Sequence, residues 1–570
     1  MKLKRVKSLI AMALAGCVLL SGCGKEPAPS SNEGNDSDSS TKSESSSSET
    51  TSTDSGEIIE LRYYCGSGEE NPFDDPVAQA LTEATGVKLK VEYSISSDDQ
   101  KIPLMIAEQD YPDLIFSDNG IVSLVEAGAL MDMTELIDEY GPNIKKFYGE
   151  ELDKLKYSKE DPSIYTLSSY GVGGVSYKTD GNMQMQWNVL KDNDYNYPKS
   201  LEEYEDMLKS YIAEHPTTED GLETIGLTLS AADWRWMITL GNPGFFITGG
   251  QQDNGQWHVD EDYNLEYHFF RPEEKEYYRW LNKMYNEGIL DNEFPTQTHE
   301  DYVAKIASGR VLSIMDAEWD YWDAIKILKA DGKIDQTYAC LPFTSDESYK
   351  SASLMYRGLI TGQGVGISTS CKDPIAAIKF LDYLCSDEGM VLRHWGIEGV
   401  NYLVDDNGMR YRTEEEINWE QTDKDYKKKT GVGLYEHPFP RYGDGVVDPT
   451  GNTYTKVSKD AVIAEYDEEQ KAACEAWDVE LLVDIFPQPD EFETPLYSPS
   501  WAYAKTAEYE EIVQQLDEIT WSGLISIVIC SPSEFDAKYD KMLADLEAAG
   551  MERAGEILGS IIKERVELAK

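Results

Sequence analysis

"DPVAQALTEATGVKLKVEYS", residues 75–94, decides the fold. It reads as a helix that stops at Gly86, followed by a strand from Val87 to Tyr93. Working outward, "IIELRYYCGSG" (58–68) precedes it as a strand that enters a glycine-rich turn. "KIPLMIAEQDYPDLIFSDNG" (101–120) follows and repeats the plan: a helix, an Asp-Tyr-Pro turn, then a short strand from Leu114 to Phe116. Strands alternating with helices form βαβ units around a mostly parallel sheet, so the class is α/β. Ligands of such sheets sit beyond the carboxyl ends of the strands. Those ends fall at Tyr64 to Gly68 and at Ser117 to Asn119.

Further helices carry their own boundaries. Ser200 and Glu203 in "SLEEYE" predict a capping box ahead of a helix to about Glu214. Asp373 and Pro374 open "DPIAAIKFLDYLCS" as cap and first helical residue. Its Ile375, Ile378, Leu381 and Leu384 predict a buried stripe. The helix beginning at Glu273 is expected to end at Gly288. "SEFDAKYDKMLADLEAAG" and "MERAGEILGSIIKERVELAK" predict a closing helical pair. "DDNGMR" (405–410) and "QDNGQW" (252–257) have hairpin-turn chemistry. "GQGVGIS" (362–368) reads as backbone crossing between lobes.

Composition excludes several functions. The 570 residues carry 106 acidic against 51 basic side chains, a formal charge of -55. Nucleic acid binding needs clusters of Lys and Arg, and so does docking on anionic lipid through basic patches. Among six histidines (215, 258, 268, 299, 394 and 437) no zinc spacing occurs. HExxH, GxSxG, GxxxxGK[ST] and GxGxxG are absent, and so many acids make chance carboxylate pairs uninformative. No catalytic residue, cofactor or metal is therefore expected.

The N-terminus assigns the compartment. "MKLKRVKSLIAMALAGCVLLSGC" has a basic start and an apolar run too short to span a membrane, which marks an export signal. "LSGC", Leu20 to Cys23, resembles the lipobox of bacterial lipoproteins. That resemblance implies cleavage after residue 22, a diacylglycerol on Cys23, and a position on the outer side of the cell membrane. Cys17 would leave with the signal. Residues 23–57, rich in Ser, Thr, Asp and Glu, have too little apolar surface to fold and read as a disordered tether. The remaining cysteines (65, 340, 371, 385, 474 and 530) have no paired spacing and are expected to be mostly buried free thiols.

Aromatics stand out: 12 Trp, 36 Tyr and 14 Phe. They cluster with acids in "DWRWM" (Trp234, Trp236), "EWDYW" (Trp319, Tyr321, Trp322) and "RHWGIEGVNY" (Trp395, Glu398, Tyr402). Sugar rings stack their C–H faces on aromatic rings, while their hydroxyls need a few placed polar groups in a cleft. Any single Trp, however, is more often core than platform.

Three stretches resemble the extracellular solute-binding proteins of ABC importers, in the family-1, maltose-binding-like group and its long LipO-like lipoprotein branch. They are "AEQDYPDLIFSDNGIVSLVEAGALMDMTELIDEYGPNI", "YRWLNKMYNEGILDNEFPTQTHEDYVAKIASGRVLSI" and "ISTSCKDPIAAIKFLDYLCSDEGMVLRHWGIEGVNY". The resemblance implies a two-lobed periplasmic-binding-protein-like fold of class II. It divides the chain into residues 58–170 plus 338–385 as one lobe and 171–337 plus 386–570 as the other. In similar proteins a Gly-Lys-x-Ala-Met strand runs into Asn-Gly-Pro-Trp, whose Trp stacks on sugar. Gly309 to Met315 matches the strand and Trp319 the ring, with "DAE" in place of Asn-Gly-Pro. The implied indoles are Trp319 and Trp322, to which the aromatic clusters add Trp234, Trp236 and Trp395 as candidates. The implied polar partners are Tyr64, Ser67, Ser117 and Asp118; Asp316, beside the strand, and Glu398, in an aromatic cluster, are further candidates. "PTTEDGLET" (216–224) lacks the Asp-x-Asn-x-Asp calcium run of polyuronate-binding relatives, so no structural metal is expected, and acidic sugars are disfavoured. The expected function is capture of a neutral oligosaccharide by lobe closure and delivery to permease subunits, by a monomer anchored through Cys23. Other polar solutes or peptides are the alternative, favoured if Arg235 or Arg357 faces the cleft. A lipid-anchored glycoside hydrolase and a receptor-partnered sensor are further ones.

Overall fold

The computed structural model describes residues 58–66, 71–93, 98–117, 120–169, 172–179, 183–250, 256–342, 344–346, 348–356, 358–361, 363–498 and 505–570. The signal, Cys23 and the tether lie outside these residues, as do Ser67, Asp118, Arg357 and most of the 252–257 turn.

In chain order the strands are β1 (Ile59–Cys65), β2 (Val87–Tyr93), β3 (Leu114–Ser117), β4 (Met183–Gln186), β5 (Trp257–Val259), β6 (Leu265–Tyr267), β7 (Ser313–Met315), β8 (Tyr338–Cys340) and β9 (Gly364–Ile367), with a short hairpin of β10 (Leu403–Val404) and β11 (Arg410–Tyr411). The first sheet has the order β2-β1-β3-β9. β1 runs parallel to both neighbours, with Ile59 opposite Val87 and Tyr63 opposite Leu114, and β9 is antiparallel to β3. The predicted βαβ plan is therefore present. Asp75 accepts the Ala78 N–H at 3.0 Å and Pro76 opens the helix Pro76–Thr85. Gly86 ends it at φ 70°, a left-handed conformation that suits a residue without a Cβ. The chain can then reverse directly into β2.

The second sheet has the order β7-β4-β8, all antiparallel. An extended stretch continues it: Ile225 bridges Val311 and Thr228 bridges Ile314, both parallel, while Leu227 bridges Leu290. Each sheet has its own core. Leu61, Val77, Leu114, Phe116, Val365 and Leu381 belong to the first. Met185, Leu227, Tyr278, Leu312, Ile527 and Leu558 belong to the second, where the helices Ala507–Val528, Phe535–Ala548 and Met551–Leu568 close over the sheet. The six cysteines of the described residues are free thiols, four of them buried.

Several local expectations need correction. β8 hydrogen-bonds to β4, with Gln186 opposite Tyr338, so residues 338–340 belong to the second sheet. Conversely, Met390, Tyr426, Val432, Tyr435, Phe439 and Tyr454 lie in the first core, so most of 386–454 belongs there too. The cause is Arg393. It is fully buried, and its guanidinium donates to the carbonyls of Leu384 (2.7 Å), Tyr435 (2.9 Å) and Pro440 (2.7 Å). Those bonds tie the 435–440 loop to the helix Pro374–Leu384. Along that helix Ile375 is exposed, because Ala377, Phe380 and Leu384 share the core-facing stripe with Ile378 and Leu381. At the helix Leu201–Glu214, Ser200 accepts the Glu203 N–H, but the Glu203 carboxylate accepts from Lys199 rather than Ser200, which leaves half a capping box.

Removing the Arg393 guanidinium leaves buried carbonyls without donors, at about 1–3 kcal/mol for each unsatisfied group. Arg393→Met is therefore expected to lower stability by about 3 kcal/mol or more, measured by urea unfolding. A loss below about 1 kcal/mol would show that the 435–440 loop is held by its aromatic packing alone.

Candidate ligand-binding site

β7 and the parallel stretch beside it end at the same edge of the second sheet. From β7 the chain turns at Asp316 into the helix Glu318–Ala330. Asp316 holds that turn from inside: its carboxylate accepts the Ala317 N–H (2.7 Å) and the Tyr302 hydroxyl (2.9 Å), and its carbonyl accepts the Gln184 amide (2.5 Å). Trp319 is thereby placed on the first turn of the helix, facing out. From the neighbouring stretch the chain passes Ala231 into a turn closed by Asp233, whose carboxylate accepts the Arg235 N–H at 3.0 Å. Trp234 stands at the tip of that turn.

The two indoles meet. Their centroids are 6.1 Å apart and their planes differ by 9°, within the range of attractive offset stacking. They are 58% (Trp319) and 48% (Trp234) exposed, more than any other described tryptophan. Two large rings left in water side by side form an apolar surface that the fold does not use for its own core.

Charge behind the rings is compensated. The Arg235 guanidinium carbon lies 4.9 Å from the Trp234 ring centre. Arg235 Nε donates to Asp320 (2.7 Å), and its terminal nitrogen donates to Asp233 (2.7 Å). His299 Nε2 lies 3.2 Å from the same Asp320 oxygen and 3.0 Å from the Asp320 carbonyl. Burial alone would raise the Asp320 carboxyl, but the His299 and Arg235 hydrogen bonds outweigh it and hold the group below the ordinary carboxylate value. The Asp320 hydrogen bond raises His299 above the ordinary histidine value, against a smaller opposing effect of burial.

Other expected site residues lie elsewhere. Trp236 is buried and stacks on Trp521 with centroids 6.4 Å apart. Trp395 is buried, donates to the Thr453 carbonyl at 3.0 Å and packs edge-on against Tyr402. Both are core indoles. Tyr64 and Ser117 end β1 and β3 as expected but are fully buried, with Ser117 Oγ accepting the Gly120 N–H. Asp316 is fully buried as well. Glu398 is exposed on the turn before β10, where it bridges Tyr402. Trp322 is half-buried on the same helix as Trp319, three residues further on. At the carboxyl ends of β1 and β3 stands a loop that sequence reasoning had placed in the other lobe. Phe439 packs on Tyr63 (5.4 Å) and His437 edge-on to Phe116 (5.0 Å), with Tyr435 donating to Asp75. Burial pushes His437 down to about 4, aided by the nearby Arg441 charge. The alternation of rings with Pro and Gly in "LYEHPFPRYGDG" (434–445) was the available signal.

Comparison with known proteins follows this geometry. A family model described as bacterial extracellular solute-binding protein matches residues 77–397. The fructooligosaccharide ABC transporter substrate-binding protein FusA of Streptococcus pneumoniae serotype 4 is 22% identical over 323 residues, 54% of this chain and 56% of that one. The chain spans about half the length of the curated relatives it matches. Among solved structures, an HMO-binding, ABC-transporter-associated solute-binding protein from Bifidobacterium longum infantis superposes with a TM-score of 0.64 at 15% identity, over 89% of this chain and 99% of that one. The alginate-binding protein AlgQ2 superposes with 0.62 at 15% identity, over 89% and 98%. These likenesses establish the two-lobed α/β fold.

Two outcomes follow for this region. Trp395→Ala is expected to cost about 3–5 kcal/mol of stability, the usual range for a buried aromatic, with the indole pair intact. Chemical unfolding measures it, and a change under about 1 kcal/mol would return that ring to the surface. For His299 the sign is fixed by its raised value: the added stability is complete below about 6.5 and is lost as pH rises through the folded value. The stability difference between wild type and His299→Gln should therefore shrink from pH 6 towards alkaline pH. A difference that grows with pH would contradict the Asp320 contact.

Proposed function

This chain belongs to the bacterial extracellular solute-binding protein family, and from that premise we propose that it captures a neutral oligosaccharide and delivers it to a membrane ABC permease. The exposed Trp234–Trp319 pair carries the reading. Indole faces suit the C–H faces of sugar rings, and the carboxylates of Asp233 and Glu318 flank them in sequence as partners for hydroxyls. Arg235 directs its charge to Asp233 and Asp320, so among the described residues it is not a free cation for a peptide carboxylate. With a formal charge of -55, the chain also opposes an acidic ligand at long range. FusA, to which the chain is similar, is named for fructooligosaccharides.

Binding proceeds without bond breaking in this reading. The lobes close on the sugar, and the sugar shifts the open–closed balance only by its differential affinity for the two forms. A diacylglycerol on Cys23 anchors the protein on the outer face of the cell membrane, and the 23–57 tether lets the folded body reach both ligand and permease.

Calorimetry of the full chain against a panel of neutral oligosaccharides tests the proposal. Trp319→Ala should weaken binding at least ten-fold, about 1.4 kcal/mol, with the melting temperature nearly unchanged because the ring is already 58% exposed. Intact affinity with a large stability loss would sink it, and so would a panel with no binder. Cys23→Ala should move the protein from the membrane fraction to the medium. Retention in the membrane would refute the anchor.

A further inference from the structure

The C-terminal helix Met551–Leu568 belongs to one lobe and ends on the other. Ile557, Leu558, Ile562 and Val566 bury it in the second core. Its last turn meets residues 156–159, a segment of the first lobe: Leu155 before it and Ile164 after it lie in the first core. The Arg565 guanidinium donates to the Lys156 carbonyl at 2.7 Å and to the Tyr157 carbonyl. Glu564 accepts the Lys159 N–H at 2.9 Å, and Glu567 accepts the Lys159 ammonium at 3.1 Å. We propose that this turn is a releasable strap, which holds the two lobes at one angle and thereby helps set the balance between closed and open forms. The inference goes beyond the sugar reading and does not depend on which solute the protein captures.

Position is the first argument. Arg565, Leu568 and Ala569 line one small cavity, of about 30 Å³, together with Lys154, Gly358 and Leu359. Gly358 closes a stretch, 342–358, that joins the two cores, since Leu341 lies in the second and Leu359 in the first. Bending between lobes alters the backbone of such a stretch. The strap therefore spans a joint that moves, not a seam inside one lobe.

Chemistry is the second. The hydrogen bonds across this joint are made by polar groups that lie near water. Arg565 is half-buried, and the Lys159 and Glu567 side chains are 61% and 65% exposed. Water can replace each partner when the lobes part, so release strands no polar group. The Lys159–Glu567 pair is open to solvent and adds little. Arg565 does the holding, because one planar fork bonds two successive carbonyls and so fixes direction as well as distance. From 2.7 Å, a shift of about 1 Å takes such a bond out of range. The contact is thus specific to one lobe angle.

A second bridge identifies which form that is. Lys326, on the helix Glu318–Ala330, donates to the Asp423 carbonyl at 3.4 Å. Asp423 follows the helix Glu414–Thr422, which Tyr426 of the first core holds by donating to Glu416 at 2.6 Å. The lobes therefore touch at this second place while the strap is made. The strap favours the closed form, and its loss shifts the balance towards the open one by the free energy of the contact.

Hydrogen exchange and small-angle scattering of the full chain, with no solute added, test the strap. Val175 on the first crossing donates to the Asp444 carbonyl, and Met355 on the second donates to that of Ala352. In Arg565→Met, peptides containing these two N–H groups should exchange about five-fold faster or more. The radius of gyration should rise, with circular dichroism unchanged. Arg565→Lys, whose ammonium reaches one carbonyl only, should give a smaller change in the same direction, and it carries the test alone if Arg565→Met fails to fold. Faster exchange confined to residues 154–163 and 560–570, at constant radius, would reduce the contact to a local cap and overturn the proposal. A smaller radius would overturn it too, by assigning the strap to the open form. Either failure leaves the sugar reading standing.

Discussion

The site depends on one parallel pairing, that of the Ile225–Thr228 stretch against β7. Strand side chains alternate, so a slip of one residue would turn every one of them to the opposite face and carry Trp234 away from Trp319. Apolar packing alone tolerates such slips. A buried polar network forbids this one. Thr228 Oγ1 donates to Asp291 at 2.8 Å, Gln297 donates to Thr228 at 3.0 Å, and Lys305 donates to Asp291 at 2.6 Å. Lys305 and Asp291 are 8% and 5% exposed, so their separation by a slip would strand two charges out of water. The network adds little net stability relative to an apolar equivalent; its effect is to make one register far better than its neighbours.

With the register fixed, the two chain turns at the sheet edge determine what faces solvent. Asp316 and Asp233 each close a turn with backbone N–H groups, and Asp320 joins the two turns through Arg235. The carboxylates nearest the platform thus serve the fold before any ligand arrives. This explains how an acidic chain keeps a patch without strong local field. Arg235, Asp233, Asp320 and His299 are paired with one another beside the rings, and the rings themselves remain open.

Much of the fold was legible because its signals are local. Asp75, Pro76 and Gly86 set the bounds of a helix within twelve residues, and Asp373 with Pro374 did the same. The lobe assignment was not legible, because it hangs on Arg393 reaching carbonyls at 435 and 440, and on β8 choosing β4 as its partner. Those contacts cross 42 to more than 150 positions, and no periodicity records them. The site was half legible for the same reason. Trp234 and Trp236 are two residues apart in one turn, yet one faces water and the other stacks on Trp521, a residue from the C-terminal helices. Asp316 has the chemistry of a ligand partner, but a tyrosine 14 positions earlier claims its carboxylate. Trp319 follows a recognisable strand, a relation that the backbone preserves.

The corrected lobe assignment changes how ligand and closure are linked. The chain passes between the two cores three times: after Leu167 before Met183, after Leu341 before Leu359, and after Tyr454 before Ala473. Two of these crossings line the cavity beside the helix Glu318–Ala330, through Lys178 and Thr179 and through Lys456 and Val457, and Cys340 lines it at the end of β8. A change of angle between the lobes must alter the backbone in these segments, since both ends of each are held in packed cores.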